Sequence, residues 1–195
     1  MDREEFLDRY NVGYGNLDFS RLDLTGIDLT GVQLDEVMFT ESNLSGAKLS
    51  NSILVAPDFR KGSLKNVDLS GSELYDSIFD RADLSGTVIE NVTFYGSGFN
   101  NSNLSGASFR NTVFKGCTFY QTNLSGADLT NAVFESYFWK SNLVSETLFE
   151  EVELSRAVVS NTCLRQCHFR NTKLPNGEVL GLGGELRDTE NRVFS

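Results

Sequence analysis

Ala127-Asp128-Leu129-Thr130-Asn131 states the rule of this chain: a small residue, a polar one, a large apolar one, Ser or Thr, then Gly or Asn. Related phrases are Asn43-Leu44-Ser45-Gly46-Ala47, Asn103-Leu104-Ser105-Gly106-Ala107 and Asn123-Leu124-Ser125-Gly126-Ala127. These three begin at 43, 103 and 123, separated by multiples of twenty. A repeat of five nested in a repeat of twenty matches neither the helical period nor the alternation of a strand. Self-similarity at a fixed period marks an architecture in which each unit buries its apolar face against its neighbours.

From Phe19 onward every fifth residue is large and apolar: Leu24, Leu29, Leu34, Phe39, Leu44, and so on to Phe169 and Leu174. Val144 and Val159 alone are small for the role. The residues two before them are mostly small, as at Ala47, Ser52, Ala82, Ala107 and Ala127. Two inward positions per five residues fit a square coil with short sides, and the frequent Gly at the fifth place supplies the positive φ of its corners. Counted without interruption, the register gives 32 repeats, or eight coils of four. At strand spacing eight coils make a rod of roughly 40 Å.

The twenty-residue phase sorts side chains into columns. One predicted core ladder reads Phe19, Phe39, Phe59, Phe79, Phe99, Phe119, Trp139, and its neighbour Leu24, Leu44, Leu64, Leu84, Leu104, Leu124. Rings stacked coil on coil gain aromatic contacts, so these aromatics read as core and not as a cofactor box. Outside, Asn43, Asn103 and Asn123 align with Asp23 and Asp83 in a ladder able to hydrogen-bond between coils.

Three segments follow. Residues 1–16 form a cap and turn: Asp2 to Tyr10 reads as a short helix, capped by Asp2, with Phe6, Leu7 and Tyr10 on one face. Residues 17–174 are the repeat. Residues 175–195 are a Gly-rich tail that follows Pro175-Asn176-Gly177 and covers the last coil. Two places strain the pattern. Pro57 falls at an inward position, where it removes a backbone donor. At Ser141-Asn142-Leu143-Val144-Ser145 the motif comes one residue early. The strict phase buries Asn142 and exposes Phe138, Leu143 and Leu148, whereas a slipped phase buries those three together with Glu146. The strict phase is kept.

Ala82-Asp83-Leu84-Ser85-Gly86 and Ala127-Asp128-Leu129-Thr130-Asn131 resemble, residue for residue, the A(D/N)LXX consensus of the pentapeptide-repeat family. The resemblance spans Leu17 to Leu174. It implies an all-β fold, a right-handed quadrilateral β-helix with each side one pentapeptide. Arg9-Tyr10 and Asn16-Leu17-Asp18-Phe19-Ser20 also resemble the opening of many cyanobacterial members, most without an assigned activity and some linked to developmental regulation.

Composition agrees with a narrow shared core: 39% of the 195 residues are hydrophobic, modest for a globule but sufficient for a solenoid. The formal net charge of −10 argues against direct nucleic-acid binding, which needs basic patches, and permits a basic protein partner. Cys117, Cys163 and Cys167 are too few and too odd for a disulfide framework and point to a reducing compartment. No apolar leader or membrane-length run is present, so a cytoplasmic location is expected.

No catalytic constellation is present, and no cofactor or metal is expected. His168 is the single histidine, and Gly181-Leu182-Gly183-Gly184 lacks dinucleotide spacing. In the repeat register Cys163 and His168 point outward from different sides while Cys167 points inward, so they do not converge as metal ligands. Paired carboxylates such as Asp35-Glu36 and Glu150-Glu151 read as solvated charge.

What remains is surface. Around Leu34, Leu54, Leu74, Phe94, Phe114 and Phe134, the outward flanks include Ile53, Val55, Tyr75, Tyr95, Val113 and Val133. This apolar strip is either a face for an unidentified protein partner, a second copy included, or packing between coils. The charge is uneven: residues 18–90 carry a net −7 and residues 91–174 a net +1. Two functions are expected. The first is a rigid, non-enzymatic protein-interaction or regulatory module. The second is the DNA mimicry of family members that bind type II topoisomerase and protect it from quinolones. The chain departs from those members in carrying no loop insertion in its register, and its acids do not line up, as Asp28, Lys48, Asp68 and Val88 show.

Overall fold

The computed structural model describes residues 1–12 and 17–135, with further backbone segments between 137 and 180 named below. Helix α1 spans Arg3–Val12. Its start follows from Asp2, whose Oδ1 accepts the Glu5 N–H at 2.9 Å and satisfies one orphan donor of the first turn. Glu4 and Glu5 suit the positive end of the helix dipole.

The rest is a parallel β-solenoid. The three-residue strands β1 (Gln33–Asp35), β2 (Ile53–Val55), β3 (Glu73–Tyr75), β4 (Thr93–Tyr95) and β5 (Val113–Lys115) recur every twenty residues. They are followed by β6 (Thr118–Tyr120), β7 (Val133–Glu135), β8 (Tyr137–Phe138), β9 (Val144–Ser145), β10 (Thr147–Glu150), β11 (Cys163–Leu164), β12 (Cys167–Arg170), β13 (Thr172–Lys173) and β14 (Val179–Leu180). One side of the solenoid is a seven-stranded sheet in the order β1-β2-β3-β4-β5-β7-β11. The other sides are held by single bridges, such as Asp23 to Asn43 and Asp28 to Lys48, and on one of them by the three-stranded sheet β12-β10-β6.

The pentapeptide phrase has a local mechanism. The residue before the apolar one bridges to the next coil, and where it is Asp or Asn followed by Ser or Thr two positions on, its side chain folds back on that residue. Asp23 Oδ1 accepts from the Thr25 N–H at 3.1 Å, Asn43 Oδ1 from Ser45 at 3.1 Å and Asp128 Oδ1 from Thr130 at 2.9 Å. Such side-chain turns are what Asp, Asn, Ser and Thr favour outside regular strands. The chain then turns through positive φ at every fifth residue from Arg21 to Asn131. Nine of these corners are glycine, and six of the others are asparagine, a residue that tolerates that region. Coil then bonds to coil: the Phe19 N–H donates to the Met38 carbonyl at 2.8 Å, and the Met38 N–H to the Leu17 carbonyl at 2.9 Å.

The interior holds the expected columns. Phe19, Phe39, Phe59, Phe79, Phe99 and Phe119 are all fully buried. Consecutive rings from Phe59 to Phe119 stack at 4.9–5.0 Å and within 11° of parallel. A second ladder, Phe94, Phe114 and Phe134, meets the first edge-on, as at Phe94 and Phe99, 5.1 Å apart and 80° inclined. α1 closes the column: Phe6 is fully buried and stacks on Phe19 at 4.2 Å. Its polar side chains take up edge groups of the first coil. Arg3 donates to the Asp28 and Thr30 carbonyls, Arg9 donates to the Asp18 carbonyl, and the Tyr10 hydroxyl accepts the Asp35 N–H. Pro57 is buried, and at the equivalent place one coil on the Ser77 N–H donates to the Ser97 hydroxyl at 3.2 Å.

The uninterrupted register is corrected beyond β7. Phe119 pairs with Phe149, and Phe149 with Phe169. On the neighbouring side Val133 pairs with Cys163. Each step across this region is thirty residues, so ten extra residues are inserted between β7 and β10. Within them β8 and β9 pair antiparallel, Tyr137 with Ser145 and Phe138 with Val144. The strict phase holds again at β10, where Leu148 is in register with Thr118 and Phe149 with Phe119, and only the β8–β9 hairpin lies outside it. The place after Phe119 in the Phe column belongs in register to Phe149 and not to Trp139, and Trp139 itself lies outside the described residues. The reason is local pairing: a short antiparallel hairpin satisfies its own backbone, so the wall resumes in phase beyond it. At the far end β13 and β14 pair antiparallel, Thr172 with Leu180 and Lys173 with Val179. Most of the 175–195 tail lies outside the described residues. Among the described residues no helix is long and apolar enough to cross a membrane.

Candidate interaction face

The seven-stranded sheet carries all six predicted strip residues. In β1 to β5 and β7 the alternation is strict: the central residue is buried and its two flanks face out. Parallel registry stacks the flanks into two columns. The first runs Gln33, Ile53, Glu73, Thr93, Val113, Val133, and the second Asp35, Val55, Tyr75, Tyr95, Lys115, Glu135. Ile53 and Val55 are 38% and 37% exposed. Ile53, Val55, Tyr75 and Tyr95 are therefore contiguous. Val113 and Val133 lie on the same face but beyond Glu73 and Thr93 in their column.

The tyrosines are ordered. Their rings stack at 4.6 Å and 3°. The Tyr75 hydroxyl donates to Glu73 Oε2 at 2.7 Å. Lys115 Nζ lies 5.6 Å from the Tyr95 ring centroid and pairs with Glu135 Oε1 at 3.1 Å. Stacking along the column turns ring faces toward neighbouring coils and ring edges toward solvent. The face thus suits apolar and hydroxyl contacts with a protein, not the base stacking of single-stranded nucleic acid. Lys115 and Glu135 follow from the twenty-residue spacing that located the tyrosines. A search confined to apolar residues misses them and Glu73.

Elsewhere polar groups are engaged in structure. Buried hydroxyls bond to carbonyls, as Ser42 does to Phe39 at 2.6 Å and Thr122 to Phe99 at 2.7 Å, so they are not poised nucleophiles. Burial pushes the Cys117 thiol up to about 12, which keeps it unreactive. Cys163 lies on the seven-stranded sheet, whereas Cys167 and His168 lie on the three-stranded sheet β12-β10-β6. No cluster able to hold a metal ion occurs among the described residues.

The acids do not form one field. Asp58 pairs with Arg60 at 2.5 Å, Asp83 with Lys65 at 3.1 Å and Asp128 with Arg110 at 3.3 Å. Glu41 bridges Arg21 at 3.1 Å and Lys61 at 3.2 Å. For Asp58, burial works against ionisation, but the hydrogen bonds and charge of Arg60 hold its carboxyl below the usual range. Burial alone raises Asp76.

The profile of pentapeptide repeats, with 8 copies, matches residues 18–54, 58–91 and 97–135, more than half of the chain. Similar solved structures include HetL, a pentapeptide repeat protein involved in heterocyst differentiation regulation in the cyanobacterium Nostoc sp. strain PCC 7120. It is 18% identical over 92% of this chain and 100% of its own, with a TM-score of 0.33. Full-length QnrB1, a plasmid-mediated fluoroquinolone resistance protein, is 17% identical over 82% of this chain and 94% of its own, with a TM-score of 0.35. A pentapeptide repeat protein of the Arabidopsis thaliana thylakoid lumen is 20% identical over 65% of this chain and 86% of its own, with a TM-score of 0.33. No curated protein matches the chain.

Proposed function

The chain belongs to the pentapeptide-repeat family, and on that footing we propose that it acts as a rigid, non-enzymatic protein-interaction module whose contact surface is the seven-stranded sheet. The observation that carries this is the contiguous patch of Ile53, Val55, Tyr75 and Tyr95, held on consecutive coils. A surface whose side chains are fixed by stacking loses little entropy on docking, and aromatic anchors are what protein interfaces favour. Photo-crosslinking from position 55 in cells, compared between the wild type and Ile53→Glu/Tyr75→Glu, tests it. A discrete adduct lost in the variant supports the reading. An identical adduct pattern in both rejects it.

The second reading is duplex-DNA mimicry aimed at a type II topoisomerase, as some members of the family practise. The ten-residue insertion at 137–146 favours it, because it supplies the loop that an unbroken register lacks. The ion pairs weigh against it: duplex DNA carries a charge about every 1.7 Å, and here many carboxylates are matched by a base. Gyrase supercoiling that is unchanged at micromolar protein eliminates it.

A further inference from the structure

We propose that the partner seated on this sheet is a second copy of the chain, docked side by side with the two rods parallel. The inference rests on the reading of the sheet as an interface and specifies its occupant. A two-fold axis along the rod lays the first outward column of one copy against the second column of the other, coil by coil. Gln33 then faces Asp35, Ile53 faces Val55, Glu73 faces Tyr75 and Thr93 faces Tyr95.

These pairs are complementary in chemistry. The amide of Gln33 donates to a carboxylate, and Ile53 and Val55, each more than a third exposed, cover one another. The Glu73 carboxylate, which already accepts from its own Tyr75 hydroxyl, meets a second tyrosine hydroxyl. At the end Lys115 and Glu135, neutral as a pair, face Val113 and Val133 of the other copy and offer them only their aliphatic stems. Antiparallel docking keeps each column opposite itself and matches less well. Full overlap sets Asp35 against Glu135, and a shift of one coil sets Glu73 against its own copy. The opposite shift, which like the parallel arrangement sets charged residues on valines, overlaps only five of the six strands. The full overlap without like-charge contacts thus selects the parallel arrangement.

The area sets the strength. Six strands at about 4.8 Å make a face about 25–30 Å tall, burying on the order of 1,000 Å² in total, below the roughly 1,200–2,000 Å² of stable dimers. The dimer is therefore weak and concentration-dependent, as interfaces at the small end are.

Sedimentation velocity of the full chain from about 1 to 500 μM tests it, alongside Val55→Glu and Tyr75→Glu. Val88→Glu, a change at an exposed residue on another side, serves as control. The expected result is reversible dimerisation of wild type and control, with Kd raised at least tenfold in both sheet variants while their circular dichroism is unchanged. Spin labels at Gln33→Cys, in a Cys163→Ser/Cys167→Ser background, then report one short inter-label distance of about 10–15 Å in the parallel dimer. Full-overlap antiparallel rods separate the labels by about 24 Å, five coil steps. A wild type that stays monomeric at every concentration, a dimer indifferent to both sheet variants, or the long distance overturns the proposal. Retention of the position-55 adduct by a strictly monomeric protein removes the second copy while leaving the sheet an interface for another protein.

Discussion

Phe149 pairs in register with Phe119 thirty residues before it, whereas Phe119 stands twenty beyond Phe99 in the same buried column. Ten residues are added without disturbing the phase of the wall. Deleting 137–146, so that Ser136 joins Thr147, restores a twenty-residue step. The shortened chain is expected to fold, with unchanged β circular dichroism and stability within about 1 kcal/mol, since loop length costs little. Unfolding of the deleted form would refute the assigned register.

The Phe column is continuous from Phe6 to Phe119, so removing a middle ring leaves each neighbour stacked on one side only. Phe79→Ala is expected to cost about 3–5 kcal/mol and Phe79→Leu distinctly less, because the adjoining column already stacks leucines at the same spacing. Urea unfolding of the two variants checks the order.

Corner geometry predicts opposite signs at two sites. Gly71 has φ +72°, and an added Cβ would lie 2.7 Å from Asn51 Oδ1, one coil back. Gly71→Ala is expected to lose about 1–2 kcal/mol, partly recovered in combination with Asn51→Gly. Ala56 holds φ 49° with no side-chain device to favour it, so Ala56→Gly is expected to be neutral or stabilising by up to about 1 kcal/mol. Melting temperatures moving the same way at both sites would contradict the corner assignment.

Acid should loosen the rod. Hydrogen bonds from Thr25 and Thr30 hold Asp23 and Asp28 below 3.8. Burial opposes ionisation of Asp83 and Asp128, but Ser85 with Lys65, and Thr130 with Arg110, lower both. A carboxylate whose folded pKa is depressed contributes stability that is full above its unfolded pKa and disappears as pH falls through the folded value. The melting temperature is therefore expected to be flat from about pH 7 to 5 and to fall below about pH 4. Asp128→Asn should flatten that decline, and a profile identical to wild type would remove Asp128 from the account.

The repeat, the square coil and the buried columns were legible because one period sets both backbone and packing: Leu24 and Leu44 announce each other. The candidate strip was legible for the same reason at Tyr75 and Tyr95. The sequence showed strain at Ser141-Asn142-Leu143 but not its cause, because Val144 happens to fall on the five-residue count and lets the apolar periodicity run on through the insertion. Glu73 and Lys115 escaped notice because their value lies in what they touch across coils. A carboxylate accepting from Tyr75 looks, in sequence, like any solvated charge.

The twenty-residue coil also governs how such a gene can change. Removing sixty nucleotides in frame from the repeat excises one full storey and lets the floors above and below meet with phenylalanine still over phenylalanine. Removing fifteen rotates everything downstream by a quarter turn, and the Phe19 column would then continue in leucine. Length in this molecule is inherited in whole storeys, apart from additions that, like the hairpin at β8 and β9, step outside the wall and return to the place they left.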